Sequence, residues 1–192
     1  ERGKERIDRI IKYLLNSAVK SNSVYVYDAQ ISGIDDNLDY VLQYKGGAQE
    51  HLEVKHIYTG GEKKEKVAQS IEYNSVGNIK NISKYEYNMS PDDFSGDDDQ
   101  KSLDKVTVYS NTVGTTDGLE FLGGAGIKQE SFYDGREGRE RITHSFTRNN
   151  SSIIIRRADY SYDADADSGL DEVTAYKLKE GDGYDLARGA LM

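Results

Sequence analysis

Apolar and polar residues alternate along this chain in short runs, and one such run comes three times. Over residues 140–163 it reads Glu-Arg-Ile-Thr-His-Ser-Phe-Thr, then Arg148-Asn149-Asn150-Ser151, then Ile153-Ile154-Ile155, and it closes on Tyr160-Ser161-Tyr162-Asp163. Moved back by 75 positions, Glu140, Ile142, Phe146, Tyr160 and Tyr162 fall on Glu65, Val67, Ile71, Tyr85 and Tyr87. Moved back by 135, Glu140, Ile142, Phe146, Tyr160, Tyr162 and Asp163 fall on Glu5, Ile7, Ile11, Tyr25, Tyr27 and Asp28. Neither comparison needs a gap. A unit repeated in this way does not have to bury a core alone, because neighbouring units can share one.

Two further blocks recur. Leu-Asp-x-Val-x-x-Tyr stands at Leu38 to Tyr44, Leu103 to Tyr109 and Leu170 to Tyr176. A strand-like block ending in glycine precedes the second and third copies, as His56-Ile57-Tyr58-Thr59-Gly60 and Ser131-Phe132-Tyr133-Asp134-Gly135. The first copy lacks it. Repeat units of approximately 1–47, 48–124 and 125–192 follow, within a single repetitive β domain.

Residues 5–15 hold the main local conflict. Ile7, Ile10, Ile11, Leu14, Leu15 and Ala18 fit the spacing of an amphipathic helix. The series Ile7, Arg9, Ile11, Tyr13, Leu15 fits a strand equally well. The aligned series Val67, Gln69, Ile71, Tyr73 alternates and breaks the helical spacing, which favours the strand. Val24-Tyr25-Val26-Tyr27 is strand-like by its β-branched and aromatic content. Further strands are expected at 38–44, 51–58, 65–74, 78–87, 103–109, 127–134, 139–148, 152–162 and 170–177. Gly46-Gly47, Gly60-Gly61 and Gly77 supply turns between them. The expected fold is all-β, a tandem-repeat antiparallel meander of about three repeats of up to four strands, extended or solenoid- or shell-like.

Composition sharpens this picture. Hydrophobic residues make up 36% of the chain, and tyrosine supplies 15 of them against 4 Phe and no Trp. A tyrosine ring can bury while its hydroxyl stays wet, which suits a thin sheet better than a thick core. The tyrosines at equal positions, Tyr25/Tyr85/Tyr160 and Tyr27/Tyr87/Tyr162, are expected to stack if the repeats stack. Gly77 and Gly135 are the turn glycines expected to matter. The net charge of -9 argues against nucleic acid and against anionic membrane surfaces. Without cysteine there is neither a disulfide framework nor a thiolate metal site. No apolar run approaches the roughly 20 residues of a membrane span, so no membrane insertion is expected. The chain opens on Glu1 and reads as a segment of something longer.

Two stretches resemble the tyrosine-aspartate (YD) repeats of Rhs and toxin-complex shell proteins. One is Tyr73-Asn74-Ser75-Val76-Gly77-Asn78-Ile79-Lys80-Asn81-Ile82, and the other is Tyr162-Asp163 followed by Gly169-Leu170-Asp171-Glu172-Val173-Thr174. The whole mixture is also similar to the tyrosine-rich tandem repeats of very large bacterial surface or secreted proteins. This chain departs from the YD pattern in its longer period and its acidic insertions. The resemblance implies a passive, extended β-scaffold outside the cytoplasm or at the cell surface. In the YD case it implies a shell around a cargo.

Candidate chemistry is sparse. Asp163-x-Asp165-x-Asp167-Ser168-Gly169 resembles a calcium loop, with alternate carboxylates aimed at one concavity. It is one residue longer than the usual spacing, and Thr174 stands where a bidentate Glu would close the site. The plainer reading is a solvated acidic loop that keeps sheet edges apart. His51 and His56 are five residues apart and face opposite sides of one strand, so they cannot chelate together. His144-Ser145 has no third member of a triad, and Gly123-Gly124-Ala125-Gly126 lacks the Lys-Ser/Thr of a phosphate loop. No enzyme and no cofactor are expected beyond the calcium candidate. The leading expectation is a structural repeat segment of a long extracellular protein that associates with itself end to end, into a filament or surface layer. The edge Ile7, Ile11, Leu15 would accept a strand from a neighbouring repeat or a second copy. The alternatives are a calcium-dependent adhesive or ligand-binding module and a cargo-enclosing shell.

Overall fold

The computed structural model describes residues 7–27, 38–47, 49, 51–60, 65–89, 101–110, 126–136, 138–162, 170–177, 184–185 and 190–191. Among these there is no helix. Eleven strands form one antiparallel sheet in which spatial order equals chain order. They are β1 (Arg9–Tyr13), β2 (Val19–Tyr27), β3 (Leu38–Lys45), β4 (Leu52–Thr59), β5 (Lys66–Tyr73), β6 (Ile79–Met89), β7 (Lys101–Ser110), β8 (Ile127–Asp134), β9 (Arg141–Arg148), β10 (Ile154–Tyr162) and β11 (Leu170–Lys177). Two short strands, β12 (Tyr184–Asp185) and β13 (Ala190–Leu191), pair separately. The expected all-β meander is therefore present, and residues 9–13 are strand, not helix. The pairing of β1 runs from Arg9 opposite Val24 to Tyr13 opposite Val19.

The chain divides into two compact units. One holds β1 to β5 and β6 through Tyr85, and the other holds β6 from Glu86 through β11.

In the first unit the ladders align Val24, Leu42, Lys55, Ile71 and Ile82 in one row across β2 to β6. The next residues along, Tyr25, Val41, His56, Ser70 and Ser83, form a row on the opposite face. The core is small. Ile71, Ile79 and Ile82 are buried together, with Ile57 and Tyr73 against them. In the second unit Phe146 and Ala158 are buried, and the row Val106, Ser131, Ser145, Ala158, Ala175 matches the small-residue row of the first unit.

The tyrosines serve these rows. The Tyr85 hydroxyl lies 3.3 Å from Ser70 Oγ, and at the aligned position the Tyr160 hydroxyl lies 3.5 Å from Ser145 Oγ. Each ring thus reaches the small residue of the adjacent strand. Direct stacking of Tyr25 on Tyr85 does not occur, because β3, β4 and β5 stand between their strands. At about 4.8 Å per strand that is roughly 19 Å. Tyr58 of β4 is the intermediate: burial, then the neighbouring phenols of Tyr25 and Tyr85, raise its pKa above the ordinary tyrosine value.

Three aligned hairpins close with one turn. Leu14 N donates to Ala18 O, Asn74 N to Asn78 O and Asn149 N to Ile153 O. Ser17, Gly77 and Ser152 take the left-handed position with φ of 63°, 84° and 63°. Asn74 Oδ1 accepts from the amides of Val76 and Asn78, and Asn149 Oδ1 accepts from those of Ser151 and Ile153. Leu14 cannot do this, and Asn16 Oδ1 accepts from Ala18 N instead.

The two expected turn glycines differ in what they need. Gly77 has open space where a Cβ would go, and serine takes its place in the aligned turns. Gly135 has φ of 118°, and a Cβ there would stand 2.8 Å from the Arg139 carbonyl oxygen. Gly135→Ala is therefore expected to cost roughly 1–3 kcal/mol in strain before any clash. Gly77→Ala is expected to cost about 1 kcal/mol. Urea unfolding of the two variants checks the order, and equal losses would contradict it. Asn22 offers the opposite case. It is 1% exposed and its Oδ1 has no partner, while Ile82 fills the aligned position in β6. Asn22→Leu is expected to raise stability by about 1 kcal/mol, since an unsatisfied buried acceptor is removed. A lower urea midpoint would count against this account.

Candidate assembly edges

The strand order leaves β1 and β11 at its two ends. An end strand has one row of backbone N–H and C=O groups that its own sheet does not use. Each of these two strands also exposes apolar surface. Ile7, Ile11, Tyr13, Leu14 and Leu15 are exposed in or beside β1, and Leu170, Val173 and Tyr176 are exposed in β11. Elsewhere among the described residues, the exposed large apolar side chains are Val76 in a turn and Ile153 and Ile155 at the start of β10. The period of two explains the strand exposure: without a further strand alongside, neither face of an end strand is fully covered by neighbours. Ile7, Ile11 and Leu15, the expected edge residues, are all exposed, with Leu15 in the turn after β1.

Charge also marks these strands. β1 carries Arg9 and Lys12, and β11 carries Asp171 and Glu172 with Lys177. Edge charges oppose indiscriminate pairing, and strands of opposite sign select each other.

A second feature joins the recurring sequence blocks. Leu38 N, at the start of β3, donates to Glu65 Oε1 at 3.3 Å. Leu103 N, near the start of β7, donates to Glu140 Oε1 at 3.0 Å. In both units the glutamate that opens one block therefore holds the first leucine of the Leu-Asp-x-Val strand, reaching past the strand between them. Leu170 is the third such leucine and begins β11, and Glu5 is the third such glutamate. Glu5 lies outside the described residues. The sequence signal for this contact is the fixed recurrence of both residues; their meeting could be found only from the strand order.

One face of the second unit carries an ion-pair network where the first unit has Ile57, Ile71 and Ile82 beside the Tyr40–Lys55 contact. Glu130 accepts from Lys105 Nζ at 2.9 Å and from both Nε and Nη2 of Arg148, at 3.0 and 2.6 Å. Phe132 stacks on His144 at 4.5 Å between ring centroids, and Phe146 meets both edge-on. Arg157 pairs with Asp159 and lies over Phe146. Burial works to raise the Glu130 pKa, but the hydrogen bonds and charges of Lys105 and Arg148 outweigh it and hold the carboxyl below the ordinary glutamate value. Burial, aided by Arg157 and opposed by Asp159, lowers the pKa of His144. Burial lowers that of His56, whose Nδ1 is 2.7 Å from Ser70 Oγ. These contacts are structural ties within the sheet.

The calcium candidates Asp163, Asp165 and Asp167 lie outside the described residues. Among the described residues no cluster of His, Asp or Glu is arranged to hold a metal, and no helix is long and apolar enough to cross a membrane. Tyr25, Tyr27, Tyr85, Tyr87, Tyr160 and Tyr162 all lie on β2, β6 or β10.

No protein-family model matches the chain, and no curated protein matches it. Among solved structures it is similar to a porin-like protein from Bacteroides uniformis, at 8% identity over 88% of each chain, with a TM-score of 0.30. A superposition that loose carries neither fold nor function across.

The groups that titrate in acid, Glu130, His56 and His144, are all shifted downward. Glu130 binds its proton less readily in the folded state, so its contribution is complete above the ordinary glutamate value of 4.5 and is lost as pH falls through its lower folded value. His56 and His144 contribute fully above 6.5 and lose their share as pH falls through their own lowered values. The melting temperature is expected to fall in two stages on acidification, one beginning below about 6.5 and one below about 4.5. Glu130→Gln should flatten the lower stage. Calorimetric scans from pH 8 to pH 3, a range chosen to bracket both stages, check this; a lower stage unchanged in the variant would contradict it.

Proposed function

We propose that the chain is a non-enzymatic structural repeat segment of a long extracellular protein, which continues its sheet end to end into a filament or surface layer. The supporting observation is the pair of end strands, β1 and β11, each exposing a run of apolar side chains beside unused backbone groups. Strand addition satisfies both at once: main-chain hydrogen bonds supply affinity and alternate side chains supply selection. The occupant is another repeat of this kind, on a continuing polypeptide or on a second copy. Contact of one end with a different end is heterologous, so it propagates unless the rotation closes a ring. The extracellular placement rests on the resemblance to tyrosine-rich surface repeats.

The test is sedimentation velocity of the 192-residue chain over a wide concentration series, beside the variant Ile11→Lys. Ile11 is exposed on β1, so a lysine there places a charge at the edge without disturbing the small core. The parent chain is expected to grow with concentration and the variant to remain monomeric. A parent chain that stays monomeric throughout would overturn the proposal, and so would a variant that assembles as the parent does.

A further inference from the structure

One-electron oxidation has few places to go in this chain. There is no Cys and no Trp, and 2 Met stand against 15 Tyr. Thiols and indoles are the other side chains that give up an electron readily, so the phenols are its main source. The strand order brings phenols together in one repeated arrangement. In the first unit His56 of β4, Ser70 of β5 and Ser83 of β6 stand opposite one another. Tyr58 and Tyr85 each lie two residues further along, on strands that run the same way. They therefore share one face at one level, two strand spacings or roughly 10 Å apart. In the second unit Ser131 of β8, Ser145 of β9 and Ala158 of β10 stand opposite one another, and Tyr133 and Tyr160 lie two residues beyond. Both members of the pair thus recur at the offset of 75.

The serine between each pair is small enough to let the rings lean across it. Ser70 Oγ donates to the Tyr85 hydroxyl oxygen at 3.3 Å and lies 2.7 Å from Nδ1 of His56, on the strand that carries Tyr58. The Tyr85 ring therefore ends over β5 at a hydroxyl shared with β4. The Tyr160 hydroxyl is 3.5 Å from Ser145 Oγ, so that ring leans the same way, toward β8. Tyr58 also answers to its neighbours: after burial, the phenols of Tyr25 and Tyr85 raise its pKa. Tyr25 is level with His56 and so is offset from Tyr58. All four paired tyrosines are partly exposed, which leaves them open to an oxidant.

The geometry points to Tyr58–Tyr85 and Tyr133–Tyr160 as sites of oxidative carbon–carbon cross-linking, each tying two alternate strands of its unit. The co-reactant is hydrogen peroxide acting through a haem peroxidase. Each phenol gives up one electron and one proton, and the peroxide takes up both sets and becomes two molecules of water. The two phenoxyl radicals join at ring carbons next to their oxygens. The hydrogen on each joined carbon then moves to its oxygen, which restores two phenols as a biphenol. A sheet with so few buried apolar side chains gains a tie between strands that do not pair. Like a disulfide, such a tie limits the unfolded ensemble. The inference does not rest on end-to-end association.

The experiment is oxidation of the 192-residue chain, at low concentration, with a haem peroxidase and hydrogen peroxide. The monomeric fraction is isolated by gel filtration, read for biphenol fluorescence, digested with trypsin and mapped by tandem mass spectrometry. Lys and Arg residues between the partners place them on separate peptides. Tyr58→Phe, Tyr133→Phe and the double variant are the tests, and Tyr13→Phe, at an exposed tyrosine of β1 outside both pairs, is the control. Melting temperatures establish that each variant folds. The expected map joins Tyr58 to Tyr85 and Tyr133 to Tyr160, each product two hydrogens lighter than its parts. Monomer fluorescence is expected to fall by about half in each single variant and at least tenfold in the double variant, and to hold in Tyr13→Phe. The peptide map of the parent chain stands by itself if a variant fails to fold. Three results would overturn the inference: monomer cross-links that join other tyrosines, Tyr25 to Tyr58 included; parental fluorescence in the double variant; or an equal loss in Tyr13→Phe.

Discussion

Backbone pairing between strands that follow each other in the chain is what this molecule rests on. Among the described residues only Val41, Ile71, Ile79, Ile82, Phe146 and Ala158 are buried apolar side chains. At about 1.5–3 kcal/mol for a fully buried large side chain, that core is slight beside the entropy of ordering so many strands. Local hairpins ease the problem, because each strand finds its partner across a short or moderate loop. The rows of small residues, Ser70 with Ser83 and Ser145 with Ala158, let tyrosine rings from the next strand lie over the sheet. The side chains thus cover the ladders more than they build an interior.

The aligned positions show which contacts such a sheet requires and which it can exchange. The left-handed turn residue is kept in all three hairpins, as Ser17, Gly77 and Ser152. The glutamate-to-leucine-amide bond is kept in both units where it is described. Both satisfy backbone groups that would otherwise lack a partner near the strand ends. The face itself is exchangeable. Ile57, Ile71 and Ile82 of the first unit give way to Phe132, Phe146 and Arg157 in the second, and the Tyr40–Lys55 contact gives way to the Lys105–Glu130 ion pair. An aliphatic patch tolerates loose geometry, whereas a buried carboxylate needs every partner in place. The second unit therefore carries the carboxylate whose contribution is lost in acid, while His56 and His144 place one histidine step in each unit.

Much of the fold was legible from residues alone. The alternation in 139–148 and 152–162, and its gapless recurrence in 65–74 and 78–87, located the strands of the main sheet and their hairpin turns, because strand period and turn chemistry are local properties; the short pair β12 and β13 was not among the expected strands. Residues 9–13 were open to two readings by periodicity, and the recurrence chose the strand. Only the tertiary structure could decide what depends on register. Strand order separated Tyr25 from Tyr85 and placed Tyr58 between them; it brought Glu65 to Leu38 and Glu140 to Leu103. It also gathered Arg136, Arg139 and Arg141 around Tyr162, from a turn and a strand that are far apart in sequence. Recurrence along a chain says that two residues matter to the same unit. Which of them touch is decided by the number of strands between them and the one-residue shifts in each ladder, and these are properties of pairing between segments.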